Sequence, residues 1–114
     1  MEGRPRRVTR EELRAAIDVR VAGLMARAAV ENWPIRADHC FLRIAYDNAV
    51  GAKWDAVVRP PAWRNLPLDR LKAAATVLAG IEAGGRTALD VGNAASLAWR
   101  RSLSQTPQAA RRTL

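Results

Sequence analysis

The first clear pattern along the chain is an apolar stripe that follows a helix start signal. Thr9 and Glu12 have the spacing of a capping box, in which each side chain bonds to the other residue's free backbone N–H. Apolar residues then recur every three or four positions, which places them on one helical face. These residues are Leu13, Ile17, Val21, Leu24 and Ala28. The pattern predicts a first helix ending near Glu31, because Trp33-Pro34 interrupts it and the residue before proline avoids helical backbone.

A second helix is predicted between Asp38 and Gly51. Its residues are apolar on most sides, which is typical of a helix in the centre of a fold. Gly51 suits the left-handed conformation that commonly ends a helix. Residues 52–66 are expected to be irregular, because Pro60-Pro61 excludes regular structure there. Within them we expect either a short helix or an extended piece for KWDAVV.

Two more helices are predicted in the second half of the chain. The third starts around residues 65–67 and ends at Gly84-Gly85. Its core stripe is expected to be Leu68, Leu71, Ala75, Leu78 and Ile81. The fourth starts near Thr87, at another capping-box spacing, and runs to about Leu103.

These patterns predict an all-α fold, a compact array or bundle of about four helices with disordered basic ends. No stretch of useful length alternates between apolar and polar residues as a strand would. We expect a single helical domain over residues 9–103. A disordered basic arm is expected over residues 1–8, and a disordered basic tail over residues 104–114.

The charge of the chain is concentrated at its ends. The net charge is +8 over 114 residues, of which +3 lies in residues 1–10 and +4 in residues 100–114. Solubilising tails in an arginine-rich proteome are the plainest explanation. The alternatives are contact with nucleic acid through terminal arginines, by attraction to phosphate, or contact with an acidic protein. Since no signal peptide and no membrane-length apolar run is visible, we expect a cytoplasmic protein without membrane contact.

Composition narrows the chemistry further. Cys40 and His39 are the only residues of their types, which excludes an intrachain disulfide and a zinc site built from them within one chain. No cofactor and no metal is expected. His39 is a poor base for Cys40, because neighbouring side chains on a helix point about 100° apart. Cys40 is therefore interpreted as a small core residue.

The polar residues of the second helix are the main candidate site. His39, Arg43 and Asp47 are four residues apart and share one face, flanked by Tyr46 and Asn48. If this helix is central, the charged groups need partners. One interpretation is a structural ion pair joining helices, a second is a pocket for a small anion or an acidic partner, and a third is a solvated face. The residues expected to face it from the fourth helix are Asn93, Ser96 and Arg100.

The four tryptophans form a second candidate set, and three of them lie at or near predicted loops. They are Trp33, Trp54, Trp63 and Trp99. They are interpreted either as side chains that cap the core where helices meet or as a surface for a partner, because Trp is enriched at binding hot spots. Base stacking is a third alternative, which the nearly neutral body of the chain disfavours.

One resemblance to known proteins covers roughly residues 35–101. It is carried by HCFLRIAYDNAVGAKWD, then RPPAW and then SLAWR. These segments resemble small bacterial proteins that are sometimes labelled GCN5-related N-acetyltransferases. The resemblance implies a mixed sheet with helices and an acetyl-CoA loop of the pattern R/Q-x-x-G-x-G/A. The sequence contains neither, so no acetyltransferase residue is carried over and this activity stays a minor alternative.

For function, the sequence favours a small non-enzymatic binding or regulatory protein, since no catalytic constellation is visible. A protein partner or self-association fits this class. A nucleic-acid-associated protein with arginine-rich tails is one alternative. The other is a small enzyme, acetyltransferase-like or not, with a polar site on the second helix.

Overall fold

The protein is all-α. The computed structural model describes the backbone of residues 7–113 and the side chains of residues 7–102. Its helices are α1 (Arg10–Glu31), α2 (Asp38–Val50), α3 (Ala62–Asn65) and α4 (Leu68–Thr113), with one 3-10 turn at Trp54–Ala56. No strand is present among these residues, which confirms the predicted helical array.

The start of α1 follows the predicted capping box. The backbone N–H of Glu12 donates to Thr9 Oγ1 at 3.1 Å, and the backbone N–H of Thr9 donates to Glu12 Oε1 at 2.8 Å. The predicted stripe is buried as a whole, because its three- and four-residue steps keep one face towards the core. It consists of Leu13, Ile17, Val21, Leu24 and Ala28.

Helix α2 lies in the centre of the fold, as its composition predicts. It packs mainly against α4 and also against α1 and the 3-10 turn. Phe41, Ile44 and Ala45 are fully buried. The helix ends at Gly51, whose φ of 71° is the left-handed cap conformation expected there.

Helix α4 contains both predicted helices of the second half of the chain. Their junction is the predicted one: Gly85 has φ 67° and ψ −148°, which breaks the helical backbone. A glycine is needed there, because other residues rarely adopt this conformation. The guanidinium of Arg27 in α1 donates to the carbonyl of Glu82 at 2.9 Å, so it satisfies one carbonyl before the break.

Two details of α4 differ from the prediction. Leu68 is 37% exposed, and the buried residues are Leu71, Ala74, Leu78 and Ile81, with Ala75 only partly buried. The buried face of α4 is thus rotated slightly from the predicted face, because α1 and α2 pack against it from a somewhat different direction. The predicted end near Leu103 is also passed, since helical backbone continues to Thr113.

The connection between α2 and α4 contains structure that the sequence left open. KWDAVV forms the 3-10 turn at Trp54–Ala56, and α3 is a four-residue helix that was not predicted. Arg10 of α1 donates to the carbonyl oxygens of Trp63 and Leu66, the latter fully buried. This contact holds the connection against the start of α1.

The predicted basic ends fall mostly outside the described side chains. Residues 1–6 and the side chains from residue 103 onwards lie outside them. Disorder of the arm and of the tail therefore stays a prediction, and the structure gives residues 104–113 a helical backbone. Arg10 and Arg100, counted with the ends by sequence position, belong instead to the folded body.

Candidate functional site

A buried carboxylate lies at the centre of the contact between α2 and α4. The side chain of Asp47 is 0% exposed, and each of its oxygens accepts two hydrogen bonds. Oδ2 accepts from Arg100 Nε at 2.7 Å and from Ser96 Oγ at 2.6 Å. Oδ1 accepts from Arg100 Nη2 at 3.0 Å and from the backbone N–H of Trp54 at 2.9 Å. The buried charge is thus fully paired, which is the condition for keeping it ionised away from water.

Two further charges extend this network towards the surface. Arg100 Nη2 lies 3.7 Å from Asp55 Oδ1, and Lys53 Nζ lies 2.9 Å from the same oxygen. The hydrogen bond to Asp47 raises the pKa of Arg100 above its ordinary value. The hydrogen bond from Lys53, with a smaller contribution from Arg100, lowers the pKa of Asp55.

Arg43 joins the same network through neutral groups. Its Nη1 donates to Ser96 Oγ at 2.6 Å, and its Nη2 donates to Asn93 Oδ1 at 2.8 Å. The interhelical ion pair is therefore Asp47 with Arg100, and Arg43 reaches Asp47 only by way of Ser96. The sequence had placed Arg43 and Asp47 on one face, and the structure shows that sharing a face did not make them an ion pair.

Asn48 has a packing role on the same side of α2. Its Nδ2 donates to the carbonyl of Ile44 at 2.9 Å and to the carbonyl of Gly92 at 3.0 Å. A Cβ at Gly92 would lie 3.1 Å from Ile44 Cγ2, so α2 and α4 approach closely here. Asp47, Asn48, Asn93 and Arg100, all candidate ligand or polar-network residues, together hold the two helices.

A concave pocket opens beside this network and has a volume of about 290 Å³. It lies between one face of α2, the 3-10 turn and the start of α3, and most of its wall is apolar. The pocket is lined by His39, Leu42, Arg43, Tyr46, Trp54, Pro61, Ala62 and Trp63. Its volume is close to the lower limit, about 300 Å³, of pockets that hold small molecules.

Two aromatic side chains form one wall of the pocket. The rings of Tyr46 and Trp54 meet edge to face, with centroids 5.7 Å apart and an interplanar angle of 61°. Such contacts are favourable and hold both rings in place. Tyr46 itself is only 7% exposed. The contact between these two rings therefore forms this wall without a ligand.

Trp63 also lines the pocket, and two arginine guanidinium groups lie over its ring. The guanidinium of Arg14 lies 4.4 Å from the ring centroid, and that of Arg64 lies 5.5 Å from it. Both distances fall within the range of cation–π attraction. The margin of the pocket is thus basic at Trp63.

Several polar atoms of the lining are not hydrogen-bonded to the described residues, and those of Arg43 and Tyr46 matter most for a ligand. Among residues 7–102 no side-chain N or O atom is buried without a hydrogen-bond partner. The Nε of Arg43 and the hydroxyl of Tyr46 have no hydrogen bond to any of these residues, so both are accessible. Burial, and then the charge of Asp18, raise the pKa of Tyr46 to about 12 against the opposing charge of Arg14. The hydroxyl is consequently protonated at neutral pH.

The two candidate sets from the sequence meet in this pocket only in part. His39, Arg43, Tyr46, Trp54 and Trp63 line it. Trp33 does not belong to a partner surface: it is 2% exposed and packs in the core, where Arg27 lies 5.1 Å from its ring centroid. Trp99 is half-buried on α4, away from the pocket lining.

His39 and Cys40 behave as separate residues. His39 is 81% exposed at the pocket margin, and its Nδ1 lies 3.6 Å from Asp38 Oδ1. Cys40 is a half-buried free thiol. In the part of the chain described here, no cluster of three or more His, Cys, Asp or Glu side chains could hold a metal ion.

Sequence reasoning missed three residues of the lining. Leu42 was within reach, because it lies three residues after His39 on the same helical face. Pro61 and Ala62 had no such signal, since the path of an irregular connection decides where they lie. Arg14 was missed as well, because its neighbour Trp63 lies far away along the chain.

Comparison with known proteins adds no relative to these observations. Over the described residues no helix is both long and apolar enough to cross a bilayer. No family model, no curated protein and no solved structure matches the chain.

Proposed function

We propose that this chain is a non-enzymatic ligand-binding or regulatory protein, and that its ligand places an apolar group in the pocket between α2 and α3. The observation that carries the proposal is the pocket itself. Five side chains that the sequence singled out on chemical grounds line it: His39, Arg43, Tyr46, Trp54 and Trp63. Concave, mostly apolar pockets with a few polar groups are the usual form of a small-ligand site.

The state of the nearby carboxylate supports binding over catalysis. Asp47 accepts four hydrogen bonds and is fully buried, so it is not free to act as a general base in the pocket. The phenol of Tyr46 is protonated at neutral pH, as a phenol of ordinary pKa would be, and burial raises its pKa further, to about 12. Asp47 holds the neighbouring helices in place, and the hydroxyl of Tyr46 is left to donate a hydrogen bond to a ligand.

The proposal is tested with indole, a neutral aromatic probe of suitable size. In ¹⁵N-labelled protein, indole should shift the amide signals of Leu42, Tyr46 and Trp63, and Trp63→Ala should weaken its binding. Trp99→Ala is the matched control, because Trp99 is also a half-buried tryptophan but lies outside the lining. Equal indole affinity in the two variants, or shifts confined to other surfaces, would contradict the proposal.

A further inference from the structure

Arg43 lines the pocket and lacks the carboxylate partner that several other arginines of the fold have. Arg10 and Arg36 also bond only to neutral oxygens, but neither lines the pocket. Arg20 bonds to Glu82, Arg27 to Glu31 and Arg86 to Asp90. Arg43, by contrast, has no carboxylate within ion-pair distance among residues 7–102, and both of its hydrogen bonds go to neutral oxygens. Its charge is therefore solvated by dipoles and has no direct counter-charge.

The surrounding network does not supply that counter-charge. Asp47 is held by two hydrogen bonds from Arg100, and Asp55 is held by Lys53. The group of five charges thus contains three cations and two anions, and one positive charge stays in excess. Because Arg43 is half-buried and lines a mostly apolar pocket, its charge is less screened than on an open surface, so it attracts an anion.

The remaining donors of Arg43 suit an oxyanion. A guanidinium has five N–H groups, of which Ser96 and Asn93 take one each. Nε is open to solvent, and the two neutral acceptors hold the guanidinium plane in one orientation. Arginine binds carboxylates through such a planar, pre-oriented set of donors.

We infer that the ligand of this pocket is a small aromatic carboxylate, whose ring lies against the apolar lining and whose carboxylate bonds to Arg43. This inference rests on the proposed function, since it names the chemical class that the same pocket takes. One excess positive charge matches a monoanion, and a volume of about 290 Å³ suits one small ring system with a short acidic side chain. Arg14 and Arg64 at the Trp63 margin add to the attraction, and the charge of Asp18 near Tyr46 opposes it.

The test compares indole-3-acetate with indole-3-acetamide, which share a ring and a side-chain length and differ in charge. The full-length protein should bind the acetate about tenfold more tightly, the ratio that one charge-assisted hydrogen bond supports. Dissociation constants come from titration calorimetry or from amide shifts. Phenyl phosphate is measured alongside, and we expect it to bind more weakly than the acetate.

Two variants assign the preference to Arg43. Arg43→Gln should bind the acetate and the amide equally. Asn93→Asp keeps Arg43 but puts a carboxylate where the Oδ1 of Asn93 now lies, 2.8 Å from Nη2, so it should also abolish the preference. Arg70→Gln is the charge-matched control, because Arg70 is exposed on α4 outside the pocket, and it should keep the preference.

The outcomes separate the inference from the proposed function. If wild-type protein binds indole and both indole derivatives with equal affinity, the carboxylate inference is wrong and the proposed function stands. If Asn93→Asp still binds indole-3-acetate more tightly than the acetamide, Arg43 does not bind the carboxylate. This variant provides the test if Arg43→Gln does not fold. Tighter binding of phenyl phosphate overturns the choice of carboxylate. If none of the probes binds, the proposed function fails and the inference fails with it.

Discussion

Arg100 donates two hydrogen bonds to the carboxylate of Asp47, from Nε at 2.7 Å and from Nη2 at 3.0 Å. The two residues come from α4 and α2, and the side chain of Arg100 is 24% exposed while that of Asp47 is fully buried. Because Asp47 has lost its hydration, it depends on these donors and on Ser96 and Trp54 for stabilisation. The pair is therefore a polar link that fixes how α4 lies against α2.

Arg100→Ala is expected to destabilise the protein by about 3 kcal/mol, near the lower limit for breaking a buried ion pair. The cost arises because the buried carboxylate of Asp47 loses two donors, and the partial exposure of Arg100 lets water replace some of them. Urea denaturation measures the free energy of unfolding. Arg101→Ala is the matched control, since Arg101 is the exposed neighbour and should change stability by less than about 0.5 kcal/mol. Similar losses in the two variants would contradict the structural role of the pair.

Gly85→Ala should cost about 1–3 kcal/mol of stability, because a side chain is strained at φ 67° and ψ −148°. The added Cβ would also lie 3.1 Å from Arg27 Nη2, beside the group that bonds to the Glu82 carbonyl. Gly80→Ala in the same helix is the control. It has no neighbour within 4 Å, so it should gain about 0.5–1 kcal/mol from higher helix propensity. Thermal or urea unfolding should therefore shift in opposite directions.

Tyr46 is the only tyrosine of the chain, so the near-ultraviolet absorbance of tyrosinate follows it directly. In the folded protein its ionisation should have a midpoint near pH 12, against about 10 in denaturant. Since the unfolded chain ionises first, the stabilising contribution of the buried phenol is complete below pH 10 and is lost as the pH rises towards 12. Tyr46→Phe should lack this part of the decline. A folded midpoint near 10 would show that the surroundings of Tyr46 do not raise its pKa.

The nucleic-acid alternative makes a different prediction. Arg10 and Arg100 are bonded within the fold, so fewer terminal arginines are available than the charge count suggests. Any affinity for DNA or RNA should fall when the other terminal arginines are replaced by Gln, and it should decline by a few units of log affinity per unit of log salt. Those residues are Arg4, Arg6, Arg7, Arg101, Arg111 and Arg112. Gel shift at low salt is the measurement, and unchanged binding by this variant would place the contact on the helical body.

Local sequence patterns were sufficient for the helices. The capping box at Thr9, the apolar stripe of α1, the left-handed Gly51 and the break at Gly85 each depend on residues within a few positions of one another. Such signals act through backbone conformation and helical periodicity, which a sequence displays directly. The predicted end of the last helix, near Leu103, falls short of Thr113, and the four-residue helix α3 was not predicted because it is too short to show a periodic pattern.

The candidate site was predictable as a set of residues but not as an arrangement. Helical spacing placed His39, Arg43 and Tyr46 near one another, and it suggested that Asn93 and Arg100 would meet α2. It did not separate the residues that hold the helices from those that line the pocket. That division depends on how far α4 is rotated and translated against α2, which no local pattern encodes.

The sequence by itself therefore determined the helical class, most helix ends and the chemistry available on each face, because these follow from residue types at short separations. Only the tertiary structure decided that Asp47 pairs with Arg100 and not with Arg43, that Trp33 is buried, and that Trp54 and Trp63 line a pocket. The physical reason is that partners some fifty residues apart are selected by helix packing. This packing leaves Arg43 without a carboxylate partner beside the pocket, because α4 places Arg100 against Asp47.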